Sequence, residues 1–342
     1  MNDIEKILKH NRIKFITVGI ILLVCLMVAG CVSLCMGTMK ISLADIIGVF
    51  TGKNVAENIM AVIWNIRLPR IICAVVVGAG LGVSGVIFQG ILQNPLADPY
   101  TIGISTGASF GASIALVLSI NLGIYFPVTL CALTGALLTL MGVIFIARKG
   151  KSLESSSLII AGIIISSILS SGVSFLKMLA GESVSAIVFW IMGSMSAVGW
   201  NDVALVLPVV TICSVIAAVM ADKLDIMSLG DSNAQALGVN TNRLRLVYLI
   251  IGSVITAVCV SVCGVIGFVG LIVPHLLRFW LTAKNSVLIP MSAVLGGVLL
   301  LIADSITRVF SAGEIPVGVL TTLIGGPFFI FVFTYQGGKN RV

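Results

Sequence analysis

Side chains able to do covalent or metal chemistry are few in this chain of 342 residues, and they are poorly placed for it. The 2 histidines are His10 and His275, and the 8 cysteines are Cys25, Cys31, Cys35, Cys73, Cys131, Cys213, Cys259 and Cys263, with no C-x-x-C pair. A zinc or dithiol site therefore has almost no ligands to draw on, and the cysteines read as small packing residues inside apolar runs. No metal, cofactor or catalytic residue is predicted. Gly150-Lys151-Ser152 resembles the end of a phosphate loop, but that pattern needs a glycine at the position held by Phe145. There is no H-E-x-x-H, and no G-x-S-x-G set on a strand-to-helix turn. Any ATP this chain uses must be hydrolysed by another polypeptide.

Charge and hydroxyl patterns carry more. The stretch "IRLPR" at 66–70 sets two permanent cations, Arg67 and Arg70, at the mouth of an unbroken apolar run that begins at Ile71. Arginines there can snorkel to lipid headgroups, while Pro69 suits the first turn of a helix. Acids are scarce: Asp98, Asp202 and Asp304 fall at or near the ends of apolar runs. A proton- or sodium-coupled carrier places its carboxylates deep in the bundle. Ser166, Ser170 and Ser174 recur on one helical face, with Ser167 and Ser171 widening the stripe. Such hydroxyls either face a polar pathway or bond to a carbonyl one turn back, and the sequence leaves both open.

The elements that must position these residues are membrane spans. Hydrophobic residues make up 58% of the chain and charged residues 10%, with a mean hydropathy of +1.19; a water-soluble surface needs far more polarity. A spanning helix needs about 20 apolar residues. Such runs are drawn at 15–37, 71–92, 100–120, 124–147, 157–179, 203–221, 244–265, 268–282, 286–304 and 315–334. They predict an all-α integral membrane protein of about ten spans, and residues 1–342 form one transmembrane domain. An even count puts both termini on one side. Placing that side in the cytoplasm retains most of the 20 Lys and Arg there, as the positive-inside bias requires, and sets Arg67 and Arg70 outside. The net charge of +7 follows from the same bias, and its dispersal over separate loops excludes a nucleic-acid groove. "VAGC" at 28–31 fits a lipoprotein cleavage box, but the apolar run continues through "VSLCM", so the first span is expected to stay.

Compared with itself at an offset of 179, the chain aligns Ile71, Val75, Val83, Gly85, Leu92 and Pro95 with Ile250, Val254, Val262, Gly264, Leu271 and Pro274. The two copies run in opposite directions through the predicted topology, which makes the repeat inverted, with halves at about 60–180 and 240–335, an architecture of transporters. Gly78 and Gly82, and Gly103, Gly107 and Gly111, stand four apart and mark close helix crossings. The longest inner loop, 222–245, predicts a short helix outside the bilayer: Asp231 or Ser232 as N-cap, Ala234 to Leu237 helical, and Gly238 as left-handed C-cap. Ala234 and Leu237 give it an apolar face for a partner's groove.

Together these stretches resemble the permease subunits of iron–siderophore, haem and cobalamin ABC importers, the FecCD-like family. The resemblance is carried by "IRLPRIICAVVVGAGLGVSGVIFQGILQNPLADPYTIGISTGA" (66–108), "FWIMGS" (189–194), "LGDSNAQALGV" (229–239), "GVIGFVGLIVPHLLR" (264–278), "LIADSITR" (301–308) and "GEIPVGVLTTLIGGPFFIFV" (313–332). It implies a dimer of permeases, identical or related, around a central pathway, with two cytoplasmic ATP-binding subunits and an external substrate-binding protein. It further implies a coupling helix at about 229–240 that contacts the ATPases through Asp231, Ser232, Ala234, Leu237 and Gly238. Arg67, Arg70 and Arg308 would receive acidic side chains of the binding protein. Asn94 and Leu96, with Ser155 and Ser156, would form the cytoplasmic gate, and the span 157–179, with Ser166, Ser170 and Ser174, would line the pathway beside the span after Pro316. The expected function is import of an iron chelate, haem or corrinoid through the plasma membrane. A stand-alone secondary transporter built on the same repeat is the alternative.

Overall fold

The computed structural model describes residues 2–37, 39, 41–52, 55–148, 153–309 and 315–339, with side chains placed between 12 and 330 and at Thr334. Gly150-Lys151-Ser152 lies outside the described residues, as do Gly313 and Glu314 of the last motif. Every described element is helical. Among the described residues, eight helices are long and apolar enough to cross a membrane.

The centre of the bundle is α4 (Leu68–Ile91), buried along nearly its whole length. Three antiparallel or half-length neighbours close on it: α12 (Thr241–Cys263), α13 (Val269–Trp280) and α14 (Asn285–Thr307). Glycines set these crossings. A Cβ on Gly78 would strike the carbonyl oxygen of Gly296, one on Gly82 that of Ser292, and one on Gly85 that of Gly270. Gly78→Ala is therefore expected to cost about 1–3 kcal/mol through overpacking, read as a lowered thermal midpoint in detergent. An unchanged midpoint would mean that α4 and α14 can part without loss.

The other predicted spans are α1 (Asn2–Cys35), α5 (Ile104–Leu122), α6 (Val128–Ala147), α7 (Ser155–Leu179), α9 (Trp200–Val219) and α15 (Val317–Lys339). The helix α1 runs unbroken through Val28–Cys31 and rests at the edge on α14, Gly19 beside Met291 and Ser33 beside Arg308. Helices not foreseen are α2 (Leu43–Thr51), α3 (Glu57–Val62), α8 (Val184–Ile191) and α10 (Ala221–Met227). The signal for α2 was present: Ser42 and Asp45 form a capping box.

Two expectations need correction. The helix holding "IRLPR" does not begin there: α3 passes through a π-helical turn, Ile63–Arg67, directly into α4. The Leu68 amide reaches back to the Ile63 carbonyl, and the wider turn lets Pro69 follow without breaking the ladder. The predicted span at 268–282 is only the 12-residue α13, about 18 Å long at 1.5 Å per residue, roughly half a bilayer. The other half is supplied by open chain at 264–268, entered through left-handed Gly264 (φ 70°) and left through left-handed Phe268 (φ 68°). Val265 and Ile266 thus run as open backbone through the bundle.

The segment joining α4 to α5 mirrors this. Residues 92–103 turn back into the bundle, and Gly103 meets Gly162 and Ser166 of α7, about 10–16 Å along that helix from Ser155. The hydroxyl of Tyr100 donates to the carbonyl of Ile266 at 2.6 Å, tying the two open segments together. Open backbone at such depth is tolerated where protein or a water-filled cavity satisfies it.

Candidate functional site

Three clusters hold the predicted site residues. At one end of the bundle, termed the arginine face, the structure brings Arg70 and Arg308 together on Asp304. Arg70 donates through Nε to both carboxylate oxygens at 3.0 and 3.1 Å and through an Nη to one at 2.9 Å. Arg308, one helical turn on, stands 3.2 Å from the other. Asp304 is wholly buried, and the three arginines are 4 to 7% exposed. Neither Arg70 nor Arg308 is thus held out for an incoming carboxylate; the physical reason is the acid on α14, which the sequence placed merely at a span end. Arg67 differs: its guanidinium donates to the carbonyls of Leu34 and Met39 and pairs with no carboxylate among the described residues. Three cations against one anion leave the cluster with a net charge of +2.

At the opposite end, the loop face, α10 leads into α11 (Asp231–Ala236), the short helix predicted from the loop. Gly238 takes the left-handed conformation (φ 82°) expected of it. The N-cap is Gly230 rather than Asp231 or Ser232, because the Asp231 carboxylate is turned to Arg245, 2.6 Å away. Ala234 is fully buried, so it belongs to the seam under the helix; the exposed apolar side chains are Leu229 and Leu237, 58 and 63% accessible. Ser232 is exposed beside them.

The predicted gate residues are linked to this helix through other side chains. The Asn94 side chain caps its own turn by accepting the Leu96 amide at 2.9 Å, and Leu96 is exposed. The Ser155 hydroxyl donates to the Ile91 carbonyl at the end of α4, 3.0 Å, which brings the start of α7 to the Asn94 turn; Ser156 is exposed beside it. Two residues that sequence reasoning passed over join gate and short helix. Arg245, which entered the reading only as one basic residue among many, is buried and donates to the Ile91 carbonyl (3.1 Å), the Leu153 carbonyl (2.6 Å) and Asp231. Gln93 donates to the Met227 carbonyl at 3.0 Å and approaches Asp231 at 3.4 Å. No local pattern marks Arg245, since its partners come from three separate stretches of chain.

The serine stripe divides. Ser167, Ser171 and Ser174 bond back to the carbonyls of Ile163, Ser167 and Ser170 at 2.9–3.0 Å, the helix-internal reading. Ser170 and Ser174 also border a cavity between α5 and α7, whose far side is closed by Val265 of the open segment. Ser166 stands deeper, against Gly103. A second groove, between Val265 and α15, begins just past Pro316 and is bordered by Gly318, Val319 and Thr322. The open segment therefore lies between the two helices predicted to line a pathway.

Multiple spans, two of them entered by open backbone, with a short helix lying across one end, define a multi-pass membrane transport protein. Comparison with known proteins makes the class specific. The FecCD transport family matches residues 22–334. The chain is 36% identical over 322 residues to the Fe(3+)-citrate import system permease protein YfmE of Bacillus subtilis, covering 94% of this chain and 96% of that one. It is 38% identical over 279 residues to the cobalamin import system permease protein BtuC of Halobacterium salinarum, covering 82% and 75%. A solved inward-facing ABC transporter of metal-chelate type superposes with a TM-score of 0.83 at 32% identity, over 94% of this chain and 99% of the other. The chain belongs to the FecCD transport family and is a permease subunit of an ABC importer.

Proposed function

We propose that the chain imports a metal chelate, an iron chelate in first place, as half of a permease dimer driven by ATP hydrolysed on partner subunits docked at α11. The observation that carries this is the hydrogen-bonded path from α11 through Arg245 to the gate turn and the start of α7. A helix that merely covered a loop would need no buried guanidinium beneath it. The loop face is cytoplasmic, both termini lie on that side, and the arginine face is external, in keeping with the basic residues Arg148, Lys223, Arg243 and Lys284 at the loop face. The relatives' named cargoes, Fe(3+)-citrate and cobalamin, support a metal chelate as the class of cargo and leave its identity to experiment.

The arginine face receives an acidic binding protein, with Arg67 and the net positive charge of the cluster as the attraction and Arg70 and Arg308 held by Asp304 as its frame. The antiparallel contact of α4 with α12, where Cys73 meets Cys263 and Ile91 meets Arg245, supports the inverted repeat with halves near 60–180 and 240–335. Asn94, Leu96, Ser155 and Ser156 form the cytoplasmic gate in this reading, and α7 and α15 line the pathway.

The test uses the exposed leucines, because charge at buried Ala234 would damage the fold itself. Leu229→Asp with Leu237→Asp is expected to abolish co-purification of the ATPase subunits and to stop uptake, while the permease keeps its thermal midpoint. ATPase subunits that still co-purify, with uptake retained, would remove α11 as their docking site.

A further inference from the structure

We propose that Lys177 makes the cavity between α5 and α7 selective for anions, so that the cargo class is an anionic chelate; this rests on the pathway reading above. The cavity has a volume of about 330 Å³ and is bordered by Ser105 and Thr106 of α5, Ser170, Ser174 and Lys177 of α7, and Val265 of the open segment. Lys177 is half-buried, and its ammonium makes no hydrogen bond or ion pair among the described residues. No carboxylate is among the residues that border the cavity. The hydroxyls of Ser105, Thr106 and Ser170 likewise have no partner among the described residues, in contrast to Ser167, Ser171 and Ser174, whose hydroxyls are taken by backbone carbonyls.

The cavity therefore offers one fixed cation and several uncommitted hydroxyls, and no carboxylate to offset that charge. That donor set suits carboxylate or other oxyanion groups at a chelate's rim. It gives a neutral ligand nothing beyond ordinary hydrogen bonds and disfavours a cationic one. A lysine that only snorkels at a span end would carry its charge to the headgroups and leave the cavity electrically neutral. The lone charge is weak enough for passage: in water, a unit charge about 5 Å away changes the local concentration of a charged solute roughly fourfold, and somewhat more between low-dielectric walls. A pathway needs that order of preference, since tight binding would halt release.

The experiment places a thiol in the cavity of the full-length permease in lipid nanodiscs through Ser174→Cys. Its labelling rates are compared for the anionic sulfonatoethyl and the cationic trimethylammonium-ethyl methanethiosulfonates, each normalised to its rate with a small free thiol. Peptide mass spectrometry locates the label, so the native cysteines do not interfere. The anionic reagent is expected to lead by about fifteenfold, the product of attraction for one and repulsion for the other. The lead is expected to vanish in Lys177→Gln and to return in Lys177→Arg. At matched ionic strength, citrate at about 100 mM is expected to slow the labelling through its threefold charge, and sucrose at the same concentration to leave it unchanged. Equal rates for the two reagents, or a lead that survives Lys177→Gln, would overturn the selectivity, and equal protection by citrate and sucrose would overturn the cargo class. No labelling by either reagent would instead overturn the pathway reading, because the cavity would then be closed to water.

Discussion

Replacing Asp304 with alanine is expected to cost about 3–5 kcal/mol of stability, more than the loss of either arginine it holds. The carboxylate is fully buried and is shared by Arg70 and Arg308, themselves nearly inaccessible. Its removal leaves two guanidinium charges in a nearly inaccessible site, and the penalty of an uncompensated buried charge exceeds the modest worth of the pair itself. Arg70→Met is expected to cost less, because Asp304 keeps Arg308, and an apolar side chain of similar length fills the space. The combination Asp304→Ala with Arg70→Met should therefore be less damaging than Asp304→Ala alone, a non-additivity that a double-mutant cycle reads directly. Unfolding of the purified permease in detergent, followed by helical signal, supplies the measurement. An Asp304→Ala protein within about 1 kcal/mol of the parent would show that water or the headgroup region already compensates these charges.

That triad also shows what the sequence could and could not disclose. Hydropathy located the long spanning runs, because burial of a span in lipid depends on composition alone, and composition is local. It did not disclose where a span stops being helical. The run 244–282 is apolar almost throughout, yet the helix breaks at Gly264–Phe268, where glycine at 264 and 267 permits a left-handed or extended backbone that apolar counting ignores. The glycine spacing in α4 was a better guide, since a side chain of zero size has one packing use at a crossing, and the carbonyls of Gly296, Ser292 and Gly270 do sit where a Cβ would be. Ala234 misled for the complementary reason: on a helix of six residues, one face is seam and one is surface, and alanine suits both. The pairings at the two ends were beyond reach. Arg70 and Asp304 are 234 residues apart, and Arg245 meets Ile91 and Leu153 at separations of 154 and 92. Charge–charge and charge–carbonyl contacts at that range leave no periodic trace.

Arg245 is where the second large effect is expected. Arg245→Met keeps the length and apolar stem of the side chain and removes its donors, so the seam between α11, the end of α4 and the start of α7 loses its three bonds together. In the proposed importer, movement of α11 on ATP binding reaches the gate only if the helix pulls on Ile91 and Leu153. Packing alone would let it slide, because the other side-chain bonds at the seam among the described residues are Gln93 to Met227, the long contact of Gln93 with Asp231, and two that do not reach α11, Ser155 to Ile91 and the Leu153 amide donating to Asn242. Coupling between two sites is typically worth about 1–3 kcal/mol, or roughly 5–150-fold. Transport per ATP hydrolysed should fall by that factor in proteoliposomes containing the whole complex. Asp231→Asn, which weakens one of the three bonds, should fall partway, and Arg245→Lys should lie between, since one ammonium cannot serve three separated acceptors in the fork geometry of a guanidinium. The ratio is the deciding quantity. A residue that only stabilised the fold would lower uptake and hydrolysis in step, leaving transport per ATP unchanged, and that result would remove Arg245 from the coupling path and leave it as a strut.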